Sequence, residues 1–258
     1  MSLTGRIALV TGATSGIGKA TAIALAREGA SVILLGRRIE RLEAVGEEIK
    51  KRFKANWIAL PVDVRDFAAV QTAINGLPEF WKNIDILINN AGLAFGLSRL
   101  HEGEVEDWEA MIDTNVKGLL YVTRTVVPGM VKRGKGDVVN IGSIAGHEVY
   151  PGGNVYCATK HAVDALTKGL RIDLVDTPIR VSSVDPGLVE TEFSIVRFKG
   201  DKEKAKNVYR GMQPLTGEDI AETIVFIVSR PPHVQIADVV IFPTAQASAT
   251  IVHREENG

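Results

Sequence analysis

Ile7-Ala-Leu-Val10-Thr-Gly12-Ala-Thr14-Ser15-Gly16-Ile17-Gly18 reads as a short apolar strand that runs straight into a glycine-rich turn and the start of a helix. Four apolar residues in a row suit a strand covered on both faces. The spacing is G-x-x-x-G-x-G, and its physics is that of a phosphate cradle. Glycines without Cβ let the backbone approach a pyrophosphate, and the helix N-terminus offers its free amides to the charge. The rest of the chain repeats the strand-then-helix rhythm. Strands are expected at 6–11, 31–36, 57–62, 84–89, 136–143, 180–185 and 237–242. Helices are expected at 16–28, 38–52, 67–81, 105–132, 155–175 and 217–228. This alternation predicts an α/β fold: one Rossmann-type, doubly wound parallel sheet flanked by helices, with ligands at the carboxyl ends of its strands.

Bulk properties narrow the class. With 258 residues and 45% hydrophobic content the chain has enough apolar material for one large core, and no linker or repeat divides it, so residues 1–258 are taken as a single catalytic domain. Thirty basic against 31 acidic residues leave a net charge of −1, which argues against nucleic acid or an anionic membrane as partner. Neither a signal-like N-terminus nor a membrane-length apolar run is present, so a cytoplasmic protein is expected. The single cysteine, Cys157, permits no internal disulfide, and the five scattered histidines show no metal-ligand spacing. Residues 188–214 break the rhythm with a long polar stretch after a strand end, which is read as a helical substrate lid.

The second strand ends in Gly36-Arg37-Arg38. An acid is commonly placed here to hold a ribose 2′-hydroxyl. Two guanidinium groups suit a 2′-phosphate instead, and the cofactor expected is NADP. Further on, Asp63-Val64 follows the third strand, Asn89-Asn90-Ala91-Gly92 the fourth, Asn115 lies in a long helix, and Ser143 ends the fifth strand. Tyr156 and Lys160, four residues apart, project from one helix face, so a phenol and an ammonium can approach one ligand together. Such a cation favours phenolate and fits the tyrosine for proton exchange between alcohol and carbonyl.

In this order and at these strand ends, the motifs resemble those of the short-chain dehydrogenase/reductase family over nearly the whole chain. The resemblance implies that Tyr156 is the proton donor and acceptor. Lys160 would hold the nicotinamide ribose and lower the tyrosine pKa, Ser143 would polarise the carbonyl, and Asn115 would kink its helix and position a relay water. It also implies a cofactor cleft lined by Gly12, Thr14, Ser15, Gly16, Ile17, Gly18, Arg37, Arg38, Asp63, Val64, Asn90, Ala91, Gly92, Tyr156, Lys160 and the loop Pro186, Gly187, Val189, Thr191, in a homotetramer. More narrowly, Asp113–Gly118, Pro128–Met130, Gly152–Tyr156, Pro186–Ser194, Val196–Asp201 and Pro243–Arg254 resemble the NADP-dependent 3-hydroxy acid dehydrogenases. These act on serine, allo-threonine and 3-hydroxypropionate-like acids. Such substrates carry a carboxylate, for which Arg197, with Lys199 as second choice, is the expected partner beside Ser143 and Tyr156. Alternatives are a carbonyl reductase or a 3-oxoacyl thioester reductase and, outside enzymes, an NADP-sensing binding protein, against which the intact Ser143, Tyr156 and Lys160 argue. His147-Glu148 departs from the family pattern, and His147 is read as a hydrogen-bonded wall residue. The apolar tail Thr244–His253 either packs on a neighbouring subunit or frays.

Overall fold

The computed structural model describes residues 2–255. Seven strands form one parallel sheet: β1 (Ile7–Thr11), β2 (Ser31–Gly36), β3 (Trp57–Pro61), β4 (Ile86–Asn89), β5 (Gly136–Ile141), β6 (Ile179–Pro186) and β7 (Asp238–Ile241). Their spatial order is β3-β2-β1-β4-β5-β6-β7. The chain winds outward from β1 to β3, then crosses back to place β4 on the other side of β1. The reversal leaves a crevice at the carboxyl ends of β1 and β4, where open α/β sheets bind ligands.

Period-two alternation along each strand feeds two separate layers. Ala8 and Val10 of β1 face α1 (Gly16–Arg27), α2 (Ile39–Phe53) and α9 (Gly217–Val228) through Leu25, Leu42, Ile49, Ile220 and Ile224, all fully buried. Ile7 and Leu9 face the opposite layer, where Val70 of α3 (Phe67–Asn75) and Val122, Val126 and Met130 of α5 (Leu119–Arg133) pack. Both sheet faces are therefore dry, which explains the continuous apolar runs in the sequence.

Some boundaries differ from the sequence reading. The helix expected through Trp81 stops at Asn75, and a separate 3₁₀ turn, Glu79–Lys82, follows Pro78, whose ring cannot continue the helix. The helix expected at 105–132 is three pieces: α4 (Val105–Ile112), a π-helical turn Asp113–Gly118, and α5. The turn inserts one residue at Asn115 and rotates the side chains beyond it. Strand β5 ends at Ile141, and Ser143 caps a 3₁₀ turn, Ile144–Gly146, with its hydroxyl accepting from Ala145 N at 3.1 Å. Helix α6 (Asn154–Asp173) carries Tyr156 and Lys160. Segment 188–214 folds into two short helices, α7 (Glu192–Arg197) and α8 (Lys202–Asn207), and its ends are drawn together where Leu215 N donates to Leu188 O and Glu190 N to Leu215 O. The tail folds back on its own chain: Ala249 N donates to Glu148 Oε2 at 2.9 Å, Gln246 pairs with Val252, and Arg254 donates to Val208 O. Among the described residues no helix is long and apolar enough to cross a membrane.

Candidate active site

A cleft of about 400 Å³ opens at the carboxyl end of the sheet, and most of the residues singled out in the sequence line it. Gly18 and Asn115 are not among the lining residues. The glycine turn is stitched to the end of β4. Thr11 Oγ1 accepts from both Asn90 N and Ala91 N at 2.9 Å, and Asn90 Nδ2 donates to Thr11 O at 2.8 Å. Gly12 sits at φ +66°, and a Cβ there would lie 2.8 Å from Asn90 Nδ2. The backbone conformation and the Asn90 amide both require glycine. Ser15 precedes α1 in extended conformation and its hydroxyl caps no first-turn amide, so the helix N-terminus faces the cleft uncapped. These features suit a pyrophosphate, and residues 14–18 would hold it.

The two arginines lie at the far end of the cleft, Arg38 against Thr14. Arg38 Nη2 donates to Thr14 Oγ1 at 2.8 Å and lies 3.8 Å from Glu192, whereas Arg37 stands 4.0 Å from Asp63 and is 64% exposed. Arg41, which the sequence reading passed over, binds both oxygens of Glu192 at 2.8 and 2.9 Å. Burial works against ionisation of Asp63, but hydrogen bonds from the Arg65 side chain and backbone win and hold its carboxyl below the ordinary range. Asp63 and Val64 form the wall beside this end.

At the near end, Tyr156, Lys160 and Ser143 meet. Lys160 is buried, donates to Ile141 O at 2.8 Å, and lies 5.9 Å from the Tyr156 ring. Burial pulls its ammonium down to about 8, with Asp185 opposing. Burial pushes the Tyr156 phenol well above its ordinary value, the neighbouring Tyr150 adds to this, and Arg197 and the Ser143 hydroxyl oppose it. Both cations lie over the phenol ring, the Arg197 guanidinium carbon at 5.1 Å from its centroid and Lys160 Nζ at 5.9 Å, with the ammonium hydrogen-bonded to a carbonyl. Asn115 is 2% exposed; its amide accepts from Leu93 N and donates to Leu93 O and Thr159 Oγ1, tying the loop after β4 to α6.

Arg197 reaches back from the end of α7. Its guanidinium carbon lies 5.1 Å from the Tyr156 ring centroid, 5.6 Å from Tyr150 and 5.7 Å from Phe193, and Nη2 donates to the Tyr150 hydroxyl. Its Nε is buried without a partner. Lys199, the second choice, points elsewhere: it pairs with Asp107 at 2.9 Å, because its own backbone turns left-handed at φ +50° beyond the end of α7. Cys157 is buried and its thiol is pushed up by burial, as a packing residue should be. His147, read as a hydrogen-bonded wall residue, is hydrogen-bonded to Asp185 at 3.0 Å but is not among the residues lining the cleft. The sequence reading missed Tyr150, Phe193, Tyr209 and Gln246, all of which line the cleft. Gln246 offered a weak signal as an amide inside an apolar tail; its Oε1 accepts from Leu188 N at 2.8 Å and fixes the loop after β6.

The short chain dehydrogenase profile matches residues 6–202. The chain belongs to that family. This short-chain dehydrogenase is 46% identical to the NADP-dependent 3-hydroxy acid dehydrogenase of Schizosaccharomyces pombe over 255 residues, 98% of each chain. It is 48% identical to the NADP-dependent 3-hydroxy acid dehydrogenase YdfG of Escherichia coli K12, over 96% of this chain and 100% of the relative. Among solved structures, the closed form of serine dehydrogenase complexed with NADP⁺ superposes with a TM-score of 0.90 at 47% identity, covering 96% of this chain and 100% of that one.

Proposed function

We propose that the protein is an NADP-dependent oxidoreductase that interconverts 3-hydroxy acids and the matching carbonyl acids. The observation that carries the substrate class is Arg197, a guanidinium 5.1 Å from the Tyr156 ring with a buried, unpartnered Nε. Leaving such a donor dry costs roughly 1–3 kcal/mol, and a substrate carboxylate relieves it. The same group at a site for uncharged ketones would have no such use.

Bound NADP⁺ supplies the hydride acceptor. The chain's own residues do the rest. Arg37 and Arg38 take the 2′-phosphate beside Thr14, and the uncapped start of α1 takes the pyrophosphate. Ser143 donates to the substrate oxygen, and Tyr156 takes the hydroxyl proton as the carbonyl forms. Lys160 holds the ribose hydroxyls and adds positive charge beside the phenolate. Arg197 sets the carboxylate end, which leaves the carbon bearing the hydroxyl over the tyrosine. Asn115 acts by locking the loop after β4 onto α6. Residues 188–214 act as the lid, since Arg197 is brought into the site by α7. A cytoplasmic homotetramer completes this reading, supported by the apolar residues exposed along α4, α5 and α6.

The test is NADPH production at alkaline pH from NADP⁺ with L-serine, L-allo-threonine, 3-hydroxypropionate and 2-propanol, with NAD⁺ in parallel. Turnover of the three acids with NADP⁺ is expected. Turnover of 2-propanol alone would make the protein a reductase of uncharged carbonyls.

A further inference from the structure

His147 and Asp185 form a pair that the proposed chemistry does not use, and their place in the fold is specific. Asp185 is the penultimate residue of β6 and is 1% exposed. Its two carboxylate oxygens have one partner each: the Ser183 hydroxyl donates to Oδ1 at 2.6 Å and His147 Nε2 to Oδ2 at 3.0 Å. The imidazole comes from the residue that follows the 3₁₀ turn capped by Ser143. Gly142, on the other side of Ser143, lies against the same carboxylate, so closely that a Cβ there would stand 1.8 Å from Oδ1. The Ser143 stretch is thus fastened on either side to one strand end: Gly142 N donates to Val184 O at 2.8 Å, and His147 reaches over to Asp185. Ser143 lies between, and the carbonyl facing its hydroxyl, at 3.5 Å, belongs to Pro186, the residue after Asp185.

We infer that His147 is a positioning residue whose grip on the buried Asp185 carboxylate holds the Ser143 hydroxyl in line with the reacting oxygen. The inference rests on the reading of Ser143 as the carbonyl-polarising donor. A buried carboxylate with one strong donor removed must recover that hydrogen bond from elsewhere, and Gly142, the residue before Ser143, already packs against its Oδ1. Burial pushes the Asp185 carboxyl above its ordinary range, and the hydrogen bonds from Ser183 and His147 and the nearby Lys160 charge oppose it. The imidazole side chain is 31% exposed, which lets it be replaced without opening the core. Its neighbour Glu148 fastens the tail through Ala249 N, so the two residues that depart from the family pattern secure the loop on two sides.

The test compares His147→Leu, His147→Gln, Asp185→Ala and the double variant His147→Leu/Asp185→Ala, with Ser143→Ala as control and binding of NADP⁺ measured by fluorescence for each. His147→Leu should lower kcat by about tenfold while KM and the NADP⁺ dissociation constant barely move, the signature of a misplaced donor and not of a damaged cleft. His147→Gln, which returns an N–H near the same place, should recover most of the loss. With Asp185 already gone, removing His147 should cost almost nothing more. Additive losses in the double variant, or a glutamine variant as slow as the leucine variant, would overturn the inference. Ser143→Ala separates its failure from that of the reading beneath it. An unaltered kcat in Ser143→Ala overturns the role of Ser143 and the inference with it, whereas a large loss there beside an unaltered His147→Leu overturns the inference alone.

Discussion

Arg197 and Lys160 show how one cleft uses two cations differently. Lys160 is buried and committed to a backbone carbonyl, whereas Arg197 stands over the phenol with a donor to spare. Arg197→Met should raise KM for a 3-hydroxy acid by roughly ten- to a hundredfold, the loss of one charged hydrogen bond, while KM for an uncharged alcohol changes little; initial-rate kinetics on both substrates decide it. Equal losses would remove the carboxylate contact. Lys160 also marks stability. Its folded-state value is depressed from 10.5 to about 8, so the protein bears the full cost of a buried charge below pH 8, and that cost fades as pH rises from 8 toward 10.5. A Lys160→Met variant should therefore melt at a higher temperature than wild type at pH 7, with the gap closing by pH 10. A gap independent of pH across this window in thermal melts would count against the assignment.

At the scale of elements, the strand-to-helix junctions supply much of the cleft lining. The end of β2 delivers Arg37 and Arg38, the end of β4 delivers Asn90 under the glycine turn, and the end of β5 leads into the Ser143 loop. Replacing both arginines by Ala should weaken NADP⁺ binding by about ten- to several hundredfold and leave NAD⁺ almost unaffected, measured by calorimetric titration. Comparable losses for both cofactors would mean that the arginines only shape the junction. These junctions were legible because each carries a residue type that strand propensity alone does not favour: glycine, paired arginines, paired asparagines. The π turn at Asn115 was not legible as such. Its local sequence, Asp113-Thr-Asn-Val-Lys-Gly118, fits an ordinary helix, and the extra residue is stabilised by contacts from distant parts of the chain, Asn115 to Leu93 and Thr159. The break of α3 at Pro78 could have been read from the proline itself.

The whole molecule leaves apolar residues uncovered on the helices of one layer. Val105, Ile112, Leu120 and Val131 along α4 and α5, and Ile172 near the end of α6, are 39–71% exposed. Side chains of this kind on neighbouring helices are what a subunit interface covers. Light scattering after gel filtration should give about four times the 27.8 kDa chain mass, and Leu120→Glu should shift it toward smaller species. A monomer at micromolar concentration would overturn the tetramer. Composition, the apolar strands and the order of motifs determined the fold, the cofactor class and most of the residues that line the cleft, because each depends on local backbone needs or on residue types written at fixed offsets. Only the tertiary structure decided that Arg197 joins Lys160 over the phenol, that Lys199 turns away to Asp107, that the tail closes over its own chain, and that His147 pairs with Asp185. Those depend on the direction in which side chains from distant segments point once the sheet is assembled, and sequence spacing carries no information about that.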